Sequence, residues 1–384
     1  MNKSSIKVLV TGDIAPLYRL KGLTAKSVPS VLDKSFLDLV KSSDFSISNM
    51  EIPVTDHDIP ISKTGPALKG NAGVTGFLKA VNFNLLTLAT NHIYDLGKEG
   101  LNDTIENIKT AELDYVGAGL NLSDAKRTYY TKFNNGLKLA IVNFTENEWS
   151  VANHNRAGAN PINPVENFYQ IKEAKEQADK VIVISHGGSP LYPLPTPRMK
   201  KLFHFYIDAG ADAVINHHTH CVSGFEEYKG KPIYYSLGNF LFDSQKIKDP
   251  NWFEGMAVEL TLSKESISHK YHTFDQCKGE PVLKLHKGDS KKKMDEKISR
   301  LNKILNDDEK LRQAFEEFTE SKRHLYESYL EPHSNKYFHF LRKKGFFPYL
   351  LSKKKKRLLL NLTRCESHRE VLHNILINEN SNPK

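Results

Sequence analysis

The chain has 384 residues, 39% of them hydrophobic, an ordinary globular composition that supports a sizeable core. Its three cysteines, Cys221, Cys277 and Cys365, are odd in number and in no C-x-x-C spacing, which excludes a disulfide framework and indicates no thiolate metal site. Residues 1–289 balance 32 Lys and Arg against 32 Asp and Glu, while 290–384 carry 22 against 13, so the whole net charge of +9 sits in the tail.

IKVLVTGDI at 6–14 reads as a buried first strand that delivers Asp13 to its C-terminal end. The chain enters that strand with no apolar h-region, and nothing later approaches about 18 uninterrupted apolar residues. The expectation is a cytoplasmic protein with neither signal peptide nor transmembrane helix. Helical spacing covers 30–41, and 45–55 alternates like a strand that presents Asn49 and Glu51 on one face. The mixed segment 56–72 reads as a loop positioned to close over a site.

Residues 77–81 have helical character, and LLTLAT at 85–90 predicts a buried strand that stops at Asn91 and His92, followed by a helix over 101–113. Strands are expected at 115–119, 128–133 and 137–145, the last two joined by a turn at Asn134-Asn135-Gly136. Residues 147–164, rich in Asn, Pro and Gly, read as a long surface loop. A helix over 167–178 leads to KVIVISHGG at 180–188, an apolar strand ending at His186. A second helix over 198–209 leads to a short strand at 214–215 and then to Asn216, His217, His218, Thr219 and His220. In an extended segment His218 and His220 project to one side and His217 points away. Antiparallel strands are expected at 256–262 and 266–274, and charged helical periodicity takes over near 289. The spacing therefore predicts two regions, 1–288 and a basic, mainly helical 289–384.

Asp13, Asn49 with Glu51, Asn91 with His92, His186, and His218 with His220 all fall where apolar strands stop. Carboxylate, amide and imidazole groups at successive strand ends are what a two-metal site needs. Taken one at a time, Asp13 also reads as a helix cap, Asn91 and Asn239 as turn formers and His186 as a hydrogen-bonded core histidine. His217, Asn49, Asn239 and Asp243 are candidates for orienting ligands from behind.

The blocks VTGDIA, SNMEIPVT, TNHIYDLGKEGL, ISHGG and GADAVINHHTHCVSGFEEYKGKPIYYSLGNFLFD, in this order, resemble those of the CapA family of capsule and poly-γ-glutamate synthesis proteins. That family is itself similar to calcineurin-like metallophosphatases. The resemblance implies an α/β fold, a four-layer α/β/β/α metallophosphatase-like sandwich, here with a C-terminal helical appendage. It also implies two divalent ions, Mn, Fe or Zn. By position, Asp13 and His220 would bind the first ion, Glu51 would bridge, and Asn91, His186 and His218 would bind the second. His92 would be the catalytic acid. Phosphatases of this superfamily begin D-x-H, whereas Asp13 is followed by Ile14 and Ala15; their bridging aspartate is replaced by Glu51. Ser189 and Thr219 stand where the family has Glu and Pro.

Two functions stay open at this level: a metal-dependent phosphoesterase or hydrolase, and a non-catalytic assembly factor that binds an anionic polymer or its synthase. In the tail, Lys353 to Arg357 lie near the apolar residues Phe346, Phe347, Leu358, Leu359 and Leu360. That stretch reads either as a solvated helix face packed on the body or as a peripheral contact with an anionic membrane surface or a synthase. A neutral body without a reading motif argues against nucleic acid as a partner.

Overall fold

The apolar runs pair into two sheets whose side chains alternate between an inner and an outer face, as a period of two requires. The computed structural model describes residues 4–330, 337, 344, 346 and 352–381. The first sheet has the order β16 (Leu283–Leu285), β15 (Ile267–Gln276), β14 (Glu254–Leu262), β1 (Ile6–Ala15), β2 (Phe45–Met50), β3 (Leu85–Thr87) and β4 (Asp114–Val116). β13 (Asn239–Phe242) adds to the end of β1. The second sheet has the order β11 (Phe225–Tyr228), β12 (Lys231–Tyr234), β10 (Ala213–His217), β9 (Lys180–His186), β7 (Lys138–Thr145) and β6 (Tyr129–Lys132). A two-stranded ribbon, β5 (Ala118–Gly119) with β8 (Gly158–Ala159), stands apart.

Val8, Val10 and Ile47 of the first sheet share one buried cluster with Leu139, Ile141, Ile184 and Ile215 of the second, so the two sheets pack face to face. Leu9 and Leu86 point the other way, onto α1 (Lys34–Lys41), α2 (Gly73–Val81) and α3 (Gly97–Thr110) through Phe36, Phe77 and Leu101. Val142, Val183 and Val214 point outward from the second sheet, onto α4 (Pro164–Gln177) and α5 (Pro197–Ala209). The result is a four-layer α/β/β/α sandwich, the architecture the resemblance implied. The tail forms α6 (Gly288–Leu305), α7 (Asp308–Leu330), α8 (Lys353–Arg364) and α9 (Glu366–Ser381), whose Leu305, Phe315, Leu362 and Ile375 join the outer cluster of the second sheet.

Several elements differ from the periodicity. The helix expected over 30–41 is broken, because Asp33 caps α1 by accepting from Phe36 N at 2.7 Å. β2 stops at Met50 and β3 at Thr87, so Glu51 and Asn91 sit on loops beyond strand ends rather than on the strands. The 147–164 loop lies largely inside, with Ala152, Ala157, Asn160 and Ile162 buried. The Asn160 amide nitrogen donates there to Asn143 O at 3.0 Å. In the tail, Leu358 and Leu359 are half-buried against the body while Lys353, Lys354 and Lys356 are exposed. Phe346 is exposed, and Phe347 with the rest of 347–351 lies outside the described residues. Among the described residues no helix is long and apolar enough to cross a membrane.

Candidate metal centre

The site begins where β1 changes partner. Over its first half β1 pairs with β14, and from Asp13 onward with β13, in register Asp13 to Asn239. Gly12 permits the switch, since a Cβ there would lie 2.0 Å from Gly238 O. The two Gly-polar pairs, Gly12-Asp13 and Gly238-Asn239, are thus one close crossing that places a carboxylate and an amide side by side. Asn49, at the register position of Asp13 on β2, donates from Nδ2 to Asp13 Oδ1 at 2.7 Å and lies 3.2 Å from His186 Nδ1. Thr87 holds that amide by donating to its Oδ1 at 2.8 Å.

The histidines arrive from the second sheet, but not as an extended strand. β10 ends at His217, and His218 and His220 have φ of 88° and 55°. Non-glycine residues seldom adopt that left-handed region, and its cost of about 1–3 kcal/mol is the kind found at functional sites. The turn sends the two imidazoles to different places. His218 Nδ1 lies 3.1 Å from His186 Nε2, which is 3.0 Å from Asn91 Oδ1. His220 Nε2 lies 3.5 Å from Glu51 Oε1, and Asp13, Glu51 and His220 bring donor atoms within 4.8 Å of one another. His217 does not point away, since its Nδ1 is 3.8 Å from Asp13 Oδ1. Asn216 pins the turn by donating to Gly187 O, His217 O and Tyr235 O, each at 2.9 Å.

Two of the four candidates for orienting residues touch a site side chain in that role. Asn239 Oδ1 accepts from His220 Nδ1 at 3.0 Å, its amide fixed by donation to Trp252 O, so His220 is left with Nε2 as its ligand atom. Asn49 lies between Asp13 and His186 as above. Asp243 acts elsewhere: its carboxylate takes the Arg19 guanidinium at 2.8 and 2.6 Å rather than a histidine. Both ring nitrogens of His217 lack a hydrogen-bond partner among the described residues.

The residues present fit divalent ions on three counts. Neither oxygen of the buried Glu51 carboxylate meets a donor in hydrogen-bond geometry among the described residues. An imidazole proton at His186 Nε2 can serve only one of the two acceptors facing it, and four-coordinate ions keep N and O donors roughly 3.3 Å apart, close to the spacing seen here. Burial also keeps the imidazoles neutral, pushing His217, His218 and His220 down to about 3 and His186 well below its ordinary value. Burial raises Asp13 to about 7, and burial with the charge of Asp13 raises Glu51 well above its ordinary value. A cation would hold both acids ionised.

A pH dependence follows. Above about pH 7.5 the histidines are almost wholly neutral folded and unfolded alike, whereas Asp13 and Glu51, raised by burial, hold protons to higher pH in the metal-free fold than in the unfolded chain. Stability contributed by that protonation is lost as pH rises through the folded values. Chelated protein is expected to lose melting temperature between about pH 7.5 and 8.5, and protein loaded with Mn²⁺ to lose much less. Parallel curves from differential scanning fluorimetry would contradict this.

His92 stands at the rim with its side chain 12% exposed. Its Nδ1 is 2.6 Å from Asp95 Oδ2, and Asp95 also pairs with Lys63 and accepts from Leu68 N at 2.9 Å. Lys63 belongs to the 56–72 loop, which reaches the site edge as expected. Asp95 and Lys63 were missed by the sequence reading. Asp95 was findable as the carboxylate three residues after His92, but nothing in the local pattern marks Lys63. Glu146, also missed, is buried behind Gly187 and Gly188, accepting from Gly188 N at 3.1 Å and Arg198 Nη2 at 2.8 Å. Burial raises its carboxyl to about 7 against the opposing charge of Arg198.

Residues 7–244 match the family model described as bacterial capsule synthesis protein PGA_cap, a span that includes every donor named above. The capsule biosynthesis protein CapA of Bacillus anthracis is 32% identical over 286 residues, 70% of this chain and 64% of that protein. The PGA biosynthesis protein CapA of Bacillus subtilis is 36% identical over 215 residues, 53% and 55% of the two chains. The chain thus spans less than two thirds of these relatives. A crystal structure of a hypothetical protein from Thermus thermophilus aligns over 70% of this chain and 99% of its own, at 15% identity and a TM-score of 0.44.

Proposed function

This chain belongs to the PGA_cap family of bacterial capsule synthesis proteins, and from that premise we propose that it serves capsule or poly-γ-glutamate biosynthesis as a metal-dependent phosphoesterase. The observation that carries the reading is the convergence of Asp13, Glu51, Asn91, His186, His218 and His220 from the strand ends of both sheets. Asp13, Glu51 and His220 would hold one ion, Asn91, His186 and His218 a second, with Glu51 reaching between them. Divalent ions supply Lewis acidity, polarising a phosphoryl oxygen and acidifying water. Asn49 and Asn239 orient the ligand side chains they touch. His92, with Nδ1 engaged by Asp95, gives its Nε2 proton to the leaving oxygen. We read 1–288 as the unit that carries this chemistry and 289–384 as a helical extension.

The test is a panel of phosphomonoesters and diesters with added Mn²⁺, before and after chelation. Turnover that chelator removes and metal restores is the expected result. No turnover by protein shown to carry its ions would overturn the hydrolase and leave a non-catalytic assembly factor that binds an anionic polymer or its synthase. One observation favours that second reading: Ala15 is buried and offers no donor to the first ion.

The basic face of α8 is the proposed contact with an anionic membrane surface or a synthase. Lys353, Lys354 and Lys356 point into solvent, and each basic residue near an anionic surface contributes about 1 kcal/mol that salt screens. Changing all three to Glu is expected to abolish low-salt co-sedimentation with phosphatidylserine vesicles. Equal binding by the variant would remove the tail from the functional account.

A further inference from the structure

The corner between α8 and α9 is tied residue by residue to the loop after β7. Glu146 accepts from Ser367 Oγ at 2.7 Å, and Glu366 accepts from Asn147 N at 3.0 Å and Asn147 Nδ2 at 2.6 Å. Arg364 stacks on the Trp149 ring with its guanidinium carbon 4.0 Å from the centroid. Four consecutive loop residues, Glu146 to Trp149, thus face the corner, and the one not yet accounted for is Glu148.

Glu148, Cys365 and His368 place one donor atom each within 4.8 Å of one another. His368 Nδ1 is taken by Tyr326 Oη at 2.8 Å, which leaves Nε2 as its ligand nitrogen, the way metal-bound imidazoles are oriented from behind. Glu148 Oε1 accepts from Asn91 Nδ2 at 3.4 Å, and its second oxygen remains to ligate. Cys365 is 2% exposed, and its thiol donates to Glu146 Oε2 at 3.9 Å. It is held among the carboxylates of Glu146, Glu148 and Glu366, surroundings that favour a cation. The three residues open on a cleft of ≈ 290 Å³ that also reaches Asn91, His218 and Lys322.

We propose that Glu148, Cys365 and His368 form a further metal site, suited to zinc and separate from the central cluster. A thiolate, an imidazole and a carboxylate with the fourth position open to a cleft is a zinc-type donor set. The Asn91 amide divides this site from the centre, its oxygen facing His186 and its nitrogen facing Glu148. Uptake of the ion replaces the Cys365 thiol proton, which leaves to solvent. The ligand set is assembled only when the C-terminal helices dock, so the extension would add a metal position to the fold rather than only cover it.

The test uses full-length protein loaded with Co²⁺, because a cobalt–thiolate bond gives a near-ultraviolet charge-transfer band that oxygen and nitrogen ligands do not. The band is expected in the wild type, in Cys221→Ser/Cys277→Ser and in His218→Ala/His220→Ala, and it should bleach on adding Zn²⁺. Cys365→Ser should lose it at unchanged circular dichroism. His368→Gln, a milder change, should weaken Co²⁺ affinity by at least about 10-fold. Absence of the band in wild type, its survival in Cys365→Ser, or its loss in His218→Ala/His220→Ala would overturn a separate site. None of these readouts depends on turnover, so this proposal and the hydrolase reading fail independently.

Discussion

Replacing His218 and His220 together by alanine is expected to strip the protein of most of its central metal. Protein purified without chelator should carry about one to two ions of Mn, Fe or Zn in that cluster per chain, the occupancy of a one- or two-metal site. The double variant removes one nitrogen donor from each donor group, His218 from the group with His186 and Asn91 and His220 from the group with Asp13 and Glu51. Loss of even an orienting partner lowers metal affinity by about 10–100-fold, so loss of two direct ligands should exceed that. Asn239→Ala supplies the calibrating case, because it removes no ligand and deletes the acceptor of His220 Nδ1 together with that acceptor's own tie to Trp252 O. It should weaken binding by about 10–100-fold and leave the Asn91, His186 and His218 group filled. Elemental analysis of both variants reads the result, and unchanged metal content in the double variant would sink the assignment.

The parts of this site that were legible in the sequence are those written in local pattern. Apolar runs such as IKVLV and KVIVIS, each ending in a polar residue, announce both a strand and what it delivers, so Asp13 and His186 could be placed from one stretch each. What two hydrogen-bond networks do at a distance was not legible. Asn239 and Asp243 were both candidates for orienting a ligand, four residues apart at opposite ends of β13, yet one meets His220 and the other Arg19, a residue 224 positions away. The separate destinations of His218 and His220 depend on left-handed backbone that no extended-strand argument supplies. The 147–164 loop failed for a related reason. Its Asn, Gly and Pro content reads as surface, but its own buried backbone is paired, Ala152 N donating to Ala159 O and Asn160 N to Gly117 O, which removes the penalty that keeps loops outside. The grip of Glu146 to Trp149 on Arg364 to His368 joins residues about 220 apart in which neither half carries a motif, so the cleft wall was invisible before the fold was known.

His92→Ala is expected to lower turnover by on the order of 10²-fold or more while leaving bound metal unchanged, because general acid catalysis supplies that much and His92 belongs to neither donor group. The geometry makes the role specific. Asp95 engages Nδ1 at 2.6 Å, Lys63 balances the Asp95 charge, and the Nε2 edge is the part of the ring left for a leaving oxygen. A structural histidine would leave the shape of the pH–rate profile alone when replaced, whereas loss of the acid should remove the limb that reports its deprotonation. Substrates with good leaving groups, which need little protonation, should lose less than alkyl phosphates. Asp95→Asn adds the protonation test: an amide can present its NH₂ to Nδ1, which keeps that nitrogen unprotonated and the ring neutral, so Nε2–H is a much weaker acid than the imidazolium that the Asp95 carboxylate supports, and kcat should fall with KM nearly constant. If His92→Ala retains wild-type turnover on alkyl esters with metal bound, His92 is not the acid and protonation must come from water or another group at the rim.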